Sequence, residues 1–154
     1  MRGGAMSGRD WRGDLEAVLR EEIPLTRAME LRVAEAGPGR VVLTAPLGPN
    51  HNHKSTAFGG SLYSLAVLAG WSLLWIRLKD AGLEGHVVIA KSEAEYLRPV
   101  VEELVATAEA DEGVLAIALE VYKRKGRAKV LLSTQIGPAG REGLRFFGTY
   151  ALVK

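Results

Sequence analysis

The first half of the chain shows two patterns of apolar residues, one with helical spacing and one with strand spacing. Leu15, Val18 and Leu19 follow an acidic start at Asp14 and fall on one helical stripe, which Pro24 is expected to end. Two runs with apolar residues at every second position come next, within 29–33 and 41–46, and the turn sequence Gly-Pro-Gly at 37–39 joins them. We therefore predict an amphipathic helix followed by a β-hairpin.

The longest apolar segment lies between Lys54 and Arg77, where no charged residue occurs. A helix of this length could span a bilayer, but the segment contains several Gly and Ser residues and strand-like segments flank it. We therefore predict a helix over 57–76 that strands enclose, rather than a membrane span. Arg77, Lys79 and Gly82 are typical of a helix C-terminus.

The remainder of the chain reads as strands. Alternation predicts them at about 86–100, 103–110, 114–123, 128–136 and 144–153. The charged run at 123–127 predicts a hairpin tip between the third and the fourth of these. One helix enclosed by about five to six antiparallel strands is an α+β arrangement. We expect a single domain over 13–154 after a disordered Gly- and Arg-rich leader at 1–12.

Composition excludes several classes of protein. The 154 residues include no cysteine, which excludes a disulfide scaffold, a thiolate nucleophile, an iron–sulfur cluster and a Cys-type zinc site. The formal net charge of +2 is too small to argue for a nucleic-acid partner. The N-terminus lacks the apolar core of a signal peptide, so we expect a cytoplasmic protein.

Three segments, taken in their order, resemble the hotdog-fold thioesterase superfamily. They are the hairpin at 33–46, the loop NHKSTAFGG at 52–60 and the strand end YLRPV at 96–100. The loop is similar to the pattern N-x-x-G-x-x-H-G-G of small acyl-CoA thioesterases, and the residues at about 50–71 most resemble the YiiD C-terminal branch. The resemblance covers nearly everything from Leu15 to the end of the chain.

The resemblance implies both a fold and a reaction. The fold is a hotdog fold, in which a curved antiparallel β-sheet wraps a long central helix, in a homodimer or a dimer of dimers. The reaction is hydrolysis of an acyl-CoA or acyl-carrier-protein thioester at the subunit boundary. No metal or redox cofactor is implied, and coenzyme A enters only as part of the substrate.

Thioester hydrolysis needs donors for the developing oxyanion, a group that positions or deprotonates water, and a channel for the acyl chain. The backbone N–H groups of Gly59 and Gly60, at the start of the long helix, suit the oxyanion. Asn52 matches the family residue that orients substrate or water, although an Asn in a loop also commonly holds that loop. The channel is expected along the helix, at Trp71, Trp75 and the helix leucines, although aromatic residues at helical spacing are core residues first.

Two groups are candidate bases. His53 lies in the loop, and imidazole accepts protons near neutral pH. Glu93 shares a strand face with Lys91 and Glu95, and it could act in trans in a hotdog dimer or be only a solvated residue. His51 and His53 are spaced i, i+2 with no carboxylate nearby in sequence, so no metal site is expected.

Further residues are candidates for substrate contact. They are His51, Thr56, Phe58, Tyr63, Ser64 and Tyr96. A helical Ser such as Ser64 can instead bond its own backbone. The basic residues between 123 and 129 could guard an exposed strand edge or clamp the phosphates of coenzyme A.

The chain also departs from the pattern that it resembles. Phe58 replaces the His of His-Gly-Gly, Ser55 replaces the usual glycine, and no acid stands near Val67 in the helix. The missing helix acid and the Phe58 replacement favour a second hypothesis, a non-catalytic acyl-CoA-binding or regulatory module. A third, a hotdog hydratase or dehydratase, would need His53 to work with a distant Glu.

Overall fold

The structure, a computed structural model, describes residues 9–154. A short 3₁₀ turn at Gly48–Asn50 precedes the longest helix. The helices and strands follow in the order α1 (Trp11–Glu22), α2 (Leu25–Ala28), β1 (Arg32–Ala36), β2 (Arg40–Ala45), α3 (Gly59–Asp80), β3 (His86–Tyr96), β4 (Leu104–Glu109), α4 (Glu112–Lys125), β5 (Arg127–Ile136) and β6 (Leu144–Val153).

The six strands form one antiparallel sheet in the order β1-β2-β4-β5-β6-β3. β4 pairs with β5 only between residues 106–109 and 133–136, so the first half of β5 has a strand neighbour on one side alone. The sheet wraps α3, which packs against β2, β3, β4, β5 and β6. The predicted α+β fold, a long helix inside a curved antiparallel sheet, is confirmed.

Helix α3 is apolar on nearly all sides because the sheet encloses it. Twelve of its 22 residues are buried, and its basic residues lie in the last turn. Gly82 follows with φ of +70° and closes the helix, as the sequence predicted. Among the described residues, α3 is the one helix that is long and apolar enough to cross a bilayer. An enclosed core helix also passes this test.

The segment predicted as a strand over 114–123 is the helix α4, so that prediction is wrong. Its buried residues Leu115, Leu119 and Tyr122 recur at helical spacing, and the intervening small and apolar residues imitate alternation. Asp111 caps the helix by accepting a bond from the Gly113 N–H at 2.8 Å. The predicted hairpin tip at 123–127 is therefore the last turn of a helix followed by the start of β5.

Helix α4 covers the part of β5 that lacks a second strand. Arg77, at the end of α3, holds the first turn of α4 by donating two hydrogen bonds to the Glu112 carboxylate, at 2.6 and 2.8 Å. Tyr122, near its last turn, donates to the carbonyl oxygen of Glu84 at 2.5 Å. The helix thus closes the gap between β4 and β5 and completes the core around α3.

Two predicted boundaries near the N-terminus also differ. α1 begins at Trp11, capped by Asp10, so it starts inside the segment predicted as a leader, and residues 1–8 lie outside the described residues. The strand β1 begins at Arg32 rather than near 29. Met29 and Leu31 are buried as the alternation suggested, but they belong to the turn that follows α2.

Candidate active site

The first turn of α3 leaves two backbone donors free. Phe58 is the N-cap residue, with extended φ and ψ of −66° and 134°, and its carbonyl oxygen accepts from the N–H groups of Ser61 and Leu62 at 3.0 Å. Among the described residues, neither the Gly59 nor the Gly60 N–H group donates a hydrogen bond. Both N–H groups lie at the positive end of a 22-residue helix.

Asn52 organises the loop in front of this turn. Its Oδ1 accepts from the backbone N–H of Lys54 at 2.8 Å and of Thr56 at 3.1 Å, and its Nδ2 donates to Thr56 Oγ1 at 2.9 Å. The predicted substrate contact Thr56 is thus part of this network. Ser55 completes the turn with φ of +64°, the left-handed region in which a glycine fits without strain. Two roles were open to Asn52, orienting substrate or water and holding the loop. The bonds in the structure are those that hold the loop.

Asn50 is a residue that sequence reasoning missed. It is buried, its Nδ2 donates to the carbonyl oxygens of Met29 at 2.9 Å and Pro46 at 2.8 Å, and its own carbonyl accepts from Phe58 N–H at 2.7 Å. These bonds fix the start of α3 against the end of β2. An Asn after Gly-Pro reads as an exposed turn residue, so no signal in the sequence indicated that it is buried.

The segment after β3 forms the opposite wall of a groove of about 400 Å³. Residues 96–100 line this wall, and Asn52, Thr56 and Gly59 line the other. Tyr96 lies across Gly59, donating to its carbonyl oxygen at 3.1 Å with its ring 3.4 Å from where a Cβ would lie. The groove therefore places the Gly59 donor of α3 beside a partly apolar recess.

The other predicted contact residues lie around the mouth of α3 in different settings. Phe58 is 55% exposed, and its ring covers Gly60. Tyr63 is held by a 2.5 Å hydrogen bond between its hydroxyl and Ser92 Oγ and by edge-to-face packing on Phe146. Ser64 is half-buried on the next turn.

The two loop histidines lie outside the lining of the groove. His51 is exposed, with its Nδ1 2.9 Å from the carbonyl oxygen of Asn52. His53 is exposed at the tip of the turn that Ser55 N–H closes on the Asn52 carbonyl. Of the described residues that line the groove, none carries a carboxylate or an imidazole.

Glu93 lies on the face of the sheet that points away from α3. It pairs with Phe147, which is 41% exposed, whereas its neighbour Ala94 pairs with the fully buried Phe146. Cross-strand partners share a face, so Lys91, Glu93 and Glu95 are on one face, as predicted, and that face is the outer one. Within one chain the structure does not bring Glu93 to Gly59 and Gly60.

The predicted channel residues lie in line along α3. The rings of Trp71 and Trp75 stack with their centroids 6.4 Å apart, and Trp71 Nε1 donates to the carbonyl oxygen of Val87 at 2.9 Å. Trp75 also meets the ring of Trp11 from α1 edge to face. Both side chains are half-buried and, with Tyr63 and Val67, form the half-buried stripe of the helix.

The basic residues at 123–129 lie at the far end of the sheet from this mouth. Tyr96 pairs with Leu144, whereas Arg127 pairs with Val153, which in turn pairs with His86. The length of β3, eleven residues, therefore separates the two places by about 30 Å. Within one chain this basic cluster is too distant to contact a substrate near Gly59 without spanning the whole sheet.

The buried hydroxyl of Tyr150 is structural. Burial raises the pKa of Tyr150, and its hydroxyl donates to the carbonyl oxygen of Val67 in α3 at 2.7 Å. It therefore stays protonated and anchors β6 on the helix. Within residues 9–154 no group of three or more Asp, Glu or His side chains is arranged to hold a metal ion.

Comparison with known proteins gives a consistent result. The model of the family described as putative thioesterase (yiiD_Cterm) matches residues 12–154. A solved structure of a protein of unknown function from Chlorobaculum tepidum is 31% identical, with a TM-score of 0.88 over 93% of this chain and 94% of that one. A putative thioesterase from Shewanella oneidensis is 27% identical, with a TM-score of 0.85 over 94% and 99%. A thioesterase from Haemophilus influenzae, 16% identical with a TM-score of 0.71 over 93% and 90%, shares the fold.

Proposed function

Because this chain belongs to the yiiD C-terminal family of putative thioesterases, we propose that it hydrolyses acyl thioesters of coenzyme A or of an acyl carrier protein. The observation that carries the proposal is the pair of free N–H groups at Gly59 and Gly60, at the positive end of α3, where Gly59 lines the groove. Coenzyme A takes part as substrate, and the proposal needs no metal or redox cofactor. It also needs no nucleic-acid or membrane partner and suits a cytoplasmic protein.

In the proposed reaction the thioester carbonyl lies at the mouth of α3. Water attacks the carbonyl carbon, and the oxygen that gains negative charge accepts hydrogen bonds from the Gly59 and Gly60 N–H groups. The carbon–sulfur bond then breaks with its electron pair on sulfur, and the proton lost by water passes to the base and on to the thiolate. The products are a thiol and a carboxylic acid, which ionises to the carboxylate by releasing its proton to solvent. The acyl chain lies along the half-buried stripe of α3 toward Trp71.

His53 is the base that we favour over Glu93. Glu93 points to the outer face, and a copy that extends the sheet would keep its own Glu93 on that same face, away from either helix. His53 is exposed on the loop in front of Gly59, so its imidazole is free to contact a substrate bound in its own groove or in that of a neighbouring copy. His53→Ala should therefore abolish turnover, whereas Glu93→Gln should leave it near the wild-type rate.

Asn52 is proposed as a positioning residue. Asn52→Ala removes three bonds that shape the loop, so kcat is expected to fall together with the melting temperature. Asn52→Asp keeps two acceptor oxygens for the Lys54 and Thr56 N–H groups and for the Thr56 hydroxyl. It should recover most of the lost kcat, which a residue that donates to substrate through its amide would not do.

A second copy is proposed to pair along β3. This strand is at the edge of the sheet, is eleven residues long, and presents backbone groups without a strand on its outer side among the described residues. Lys91 and Glu93 lie next to each other on the outer face of β3. An antiparallel copy can therefore place each lysine opposite the other chain's glutamate. The groove near Tyr96 then lies at the boundary between copies.

The test uses two variants at one position. Gly59→Pro removes the N–H donor, and proline fits the first helical position because Phe58 already has the extended backbone that proline requires before it. Gly59→Ala keeps the N–H and brings its Cβ only to an ordinary 3.4 Å contact with Tyr96. With an acyl-CoA panel and a thiol-reactive dye, the proline variant should lose about 10²–10³ in kcat and the alanine variant little. Equal rates for the two folded variants would reject the donor role.

A non-catalytic acyl-CoA-binding module is the second candidate. The observation that favours it is that the described residues lining the groove include no carboxylate or imidazole. Binding of acyl-CoA by calorimetry, with no thiol released from any member of the panel, would establish this function instead.

A further inference from the structure

A second and larger groove lies on the outer face of the sheet. Its volume is about 610 Å³, within the range of small-molecule sites. The outward residues Val105 and Thr107 of β4 and Gln135 of β5 form its floor. The segments 98–103 and 137–143 form its walls.

The two grooves share one ridge. Residues 98–100 line both the groove at Gly59 and the outer groove. Ala57 N–H donates to the Val100 carbonyl at 2.8 Å, which ties the ridge to the loop at the mouth of α3. On the other side, Val100 packs so closely on Gly143 that a Cβ there would lie 2.4 Å from Val100 Cγ2. A long substrate can therefore cross a ridge of three residues and occupy both grooves.

Three arginines and three glutamates, Glu102, Glu103 and Glu109, line the outer groove, and two of its guanidinium groups are free to bind an anion. Of its three arginines, Arg40 lies 3.2 Å from Glu35 and 3.4 Å from Glu109, which neutralise it. Arg98 and Arg141 are exposed on opposite walls, and neither forms an ion pair with another residue in the part of the chain described. A guanidinium matches the geometry and charge of phosphate.

We propose that the outer groove binds the phosphorylated nucleotide end of coenzyme A, so that the substrate is an acyl-CoA rather than an acyl-carrier-protein thioester. The inference rests on the proposed function, because it takes the thioester to lie at Gly59. A concave groove of this volume fits a nucleotide, whereas a carrier protein is held by an extended surface. Arg98 and Arg141 contact the phosphates, and the connecting arm of coenzyme A crosses the ridge at residues 98–100.

The kinetic test compares one acyl group on two carriers, coenzyme A and pantetheine. Arg141→Gln, which lines only the outer groove, should raise KM about tenfold for the acyl-CoA and leave KM for acyl-pantetheine unchanged. Arg98→Gln with Arg141→Gln should raise the KM for acyl-CoA further. Arg20→Gln is the control, because it removes the same charge on α1, outside the lining of both grooves. It should change neither KM.

Each outcome decides between the inferences. Equal effects of Arg141→Gln on both carriers, or none on either, would overturn the nucleotide groove and leave thioester hydrolysis standing. If the wild type cleaves neither carrier, the proposed function fails, and calorimetry with adenosine 3′,5′-bisphosphate still tests the groove. Binding that weakens with salt and is lost in Arg141→Gln supports it, and absence of binding to the wild type overturns it.

Discussion

Gly70 lies in the middle of α3, directly beneath the ring of Tyr150, and its replacement by alanine tests how tightly the sheet is packed on the helix. A Cβ at residue 70 would lie 2.3 Å from the Tyr150 hydroxyl oxygen, 2.6 Å from Cζ and 2.8 Å from Cε1. Tyr150 is fully buried and its hydroxyl donates to the Val67 carbonyl, so the ring has no open space to enter. Either the ring or the helix must move.

The expected magnitude follows from three contributions. Overpacking a core typically costs about 1–3 kcal/mol. Loss of the Tyr150–Val67 hydrogen bond adds about 1 kcal/mol, and the better helix propensity of alanine returns about 1 kcal/mol. The net destabilisation expected for Gly70→Ala is therefore about 2 kcal/mol, or about 4–8 °C in Tm for a chain of this length.

Urea unfolding followed by circular dichroism, with calorimetry for Tm, measures this loss. Gly113→Ala on α4 is the control, because the nearest atom to its Cβ is Asp111 Oδ1 at 3.5 Å and alanine should stabilise the helix by up to about 1 kcal/mol. In a double variant with Tyr150→Phe, the absence of the hydroxyl should make the combined loss smaller than the sum of the two. A Gly70→Ala protein as stable as the wild type would refute the packing argument.

The remaining predictions concern the termini of α3, the base and the assembly. Arg77 holds the pKa of Glu112 below its ordinary value of 4.5, so the stabilisation is present above that value and is lost as the pH falls below it. Glu112→Gln should therefore lower Tm at pH 7 by an amount that shrinks below pH 4.5 and, because Glu112 is largely exposed, also shrinks in salt. His53→Ala should abolish dye-detected thiol release while Glu93→Gln does not, and the reverse result would restore Glu93 as base. Sedimentation should give at least a dimer, and Lys91→Glu should weaken it; a folded monomer of 16.6 kDa at micromolar concentration would contradict pairing along β3.

The mouth of α3 could be predicted in outline because its determinants are local. The glycines at the start of the helix, the polar loop before it and the C-terminal signals after it lie where the sequence indicated. The part that Asn52 plays could not be settled in this way, because its three bonds depend on the loop folding back on itself. Burial of Asn50 likewise depends on Met29, 21 residues away.

Helix α4 was misread for a physical reason. Its small and apolar residues satisfy both a period of two and a helical period, and local sequence does not choose between them. The choice follows from a tertiary requirement, since β4 leaves the first half of β5 unpaired and the exposed core needs a cover. The bidentate contact between Arg77 and Glu112 then fixes the start of the helix on α3.

By itself, the sequence determined that Lys91, Glu93 and Glu95 share one face of β3, because alternation along a strand is a local property. Only the tertiary structure decided which face this is. A bulge between Ile89 and Lys91 shifts the register, so odd-numbered residues face α3 before it and point outward after it. A one-residue shift turns every following side chain to the other face of the sheet, and only the pairing with β6 fixes where that shift occurs.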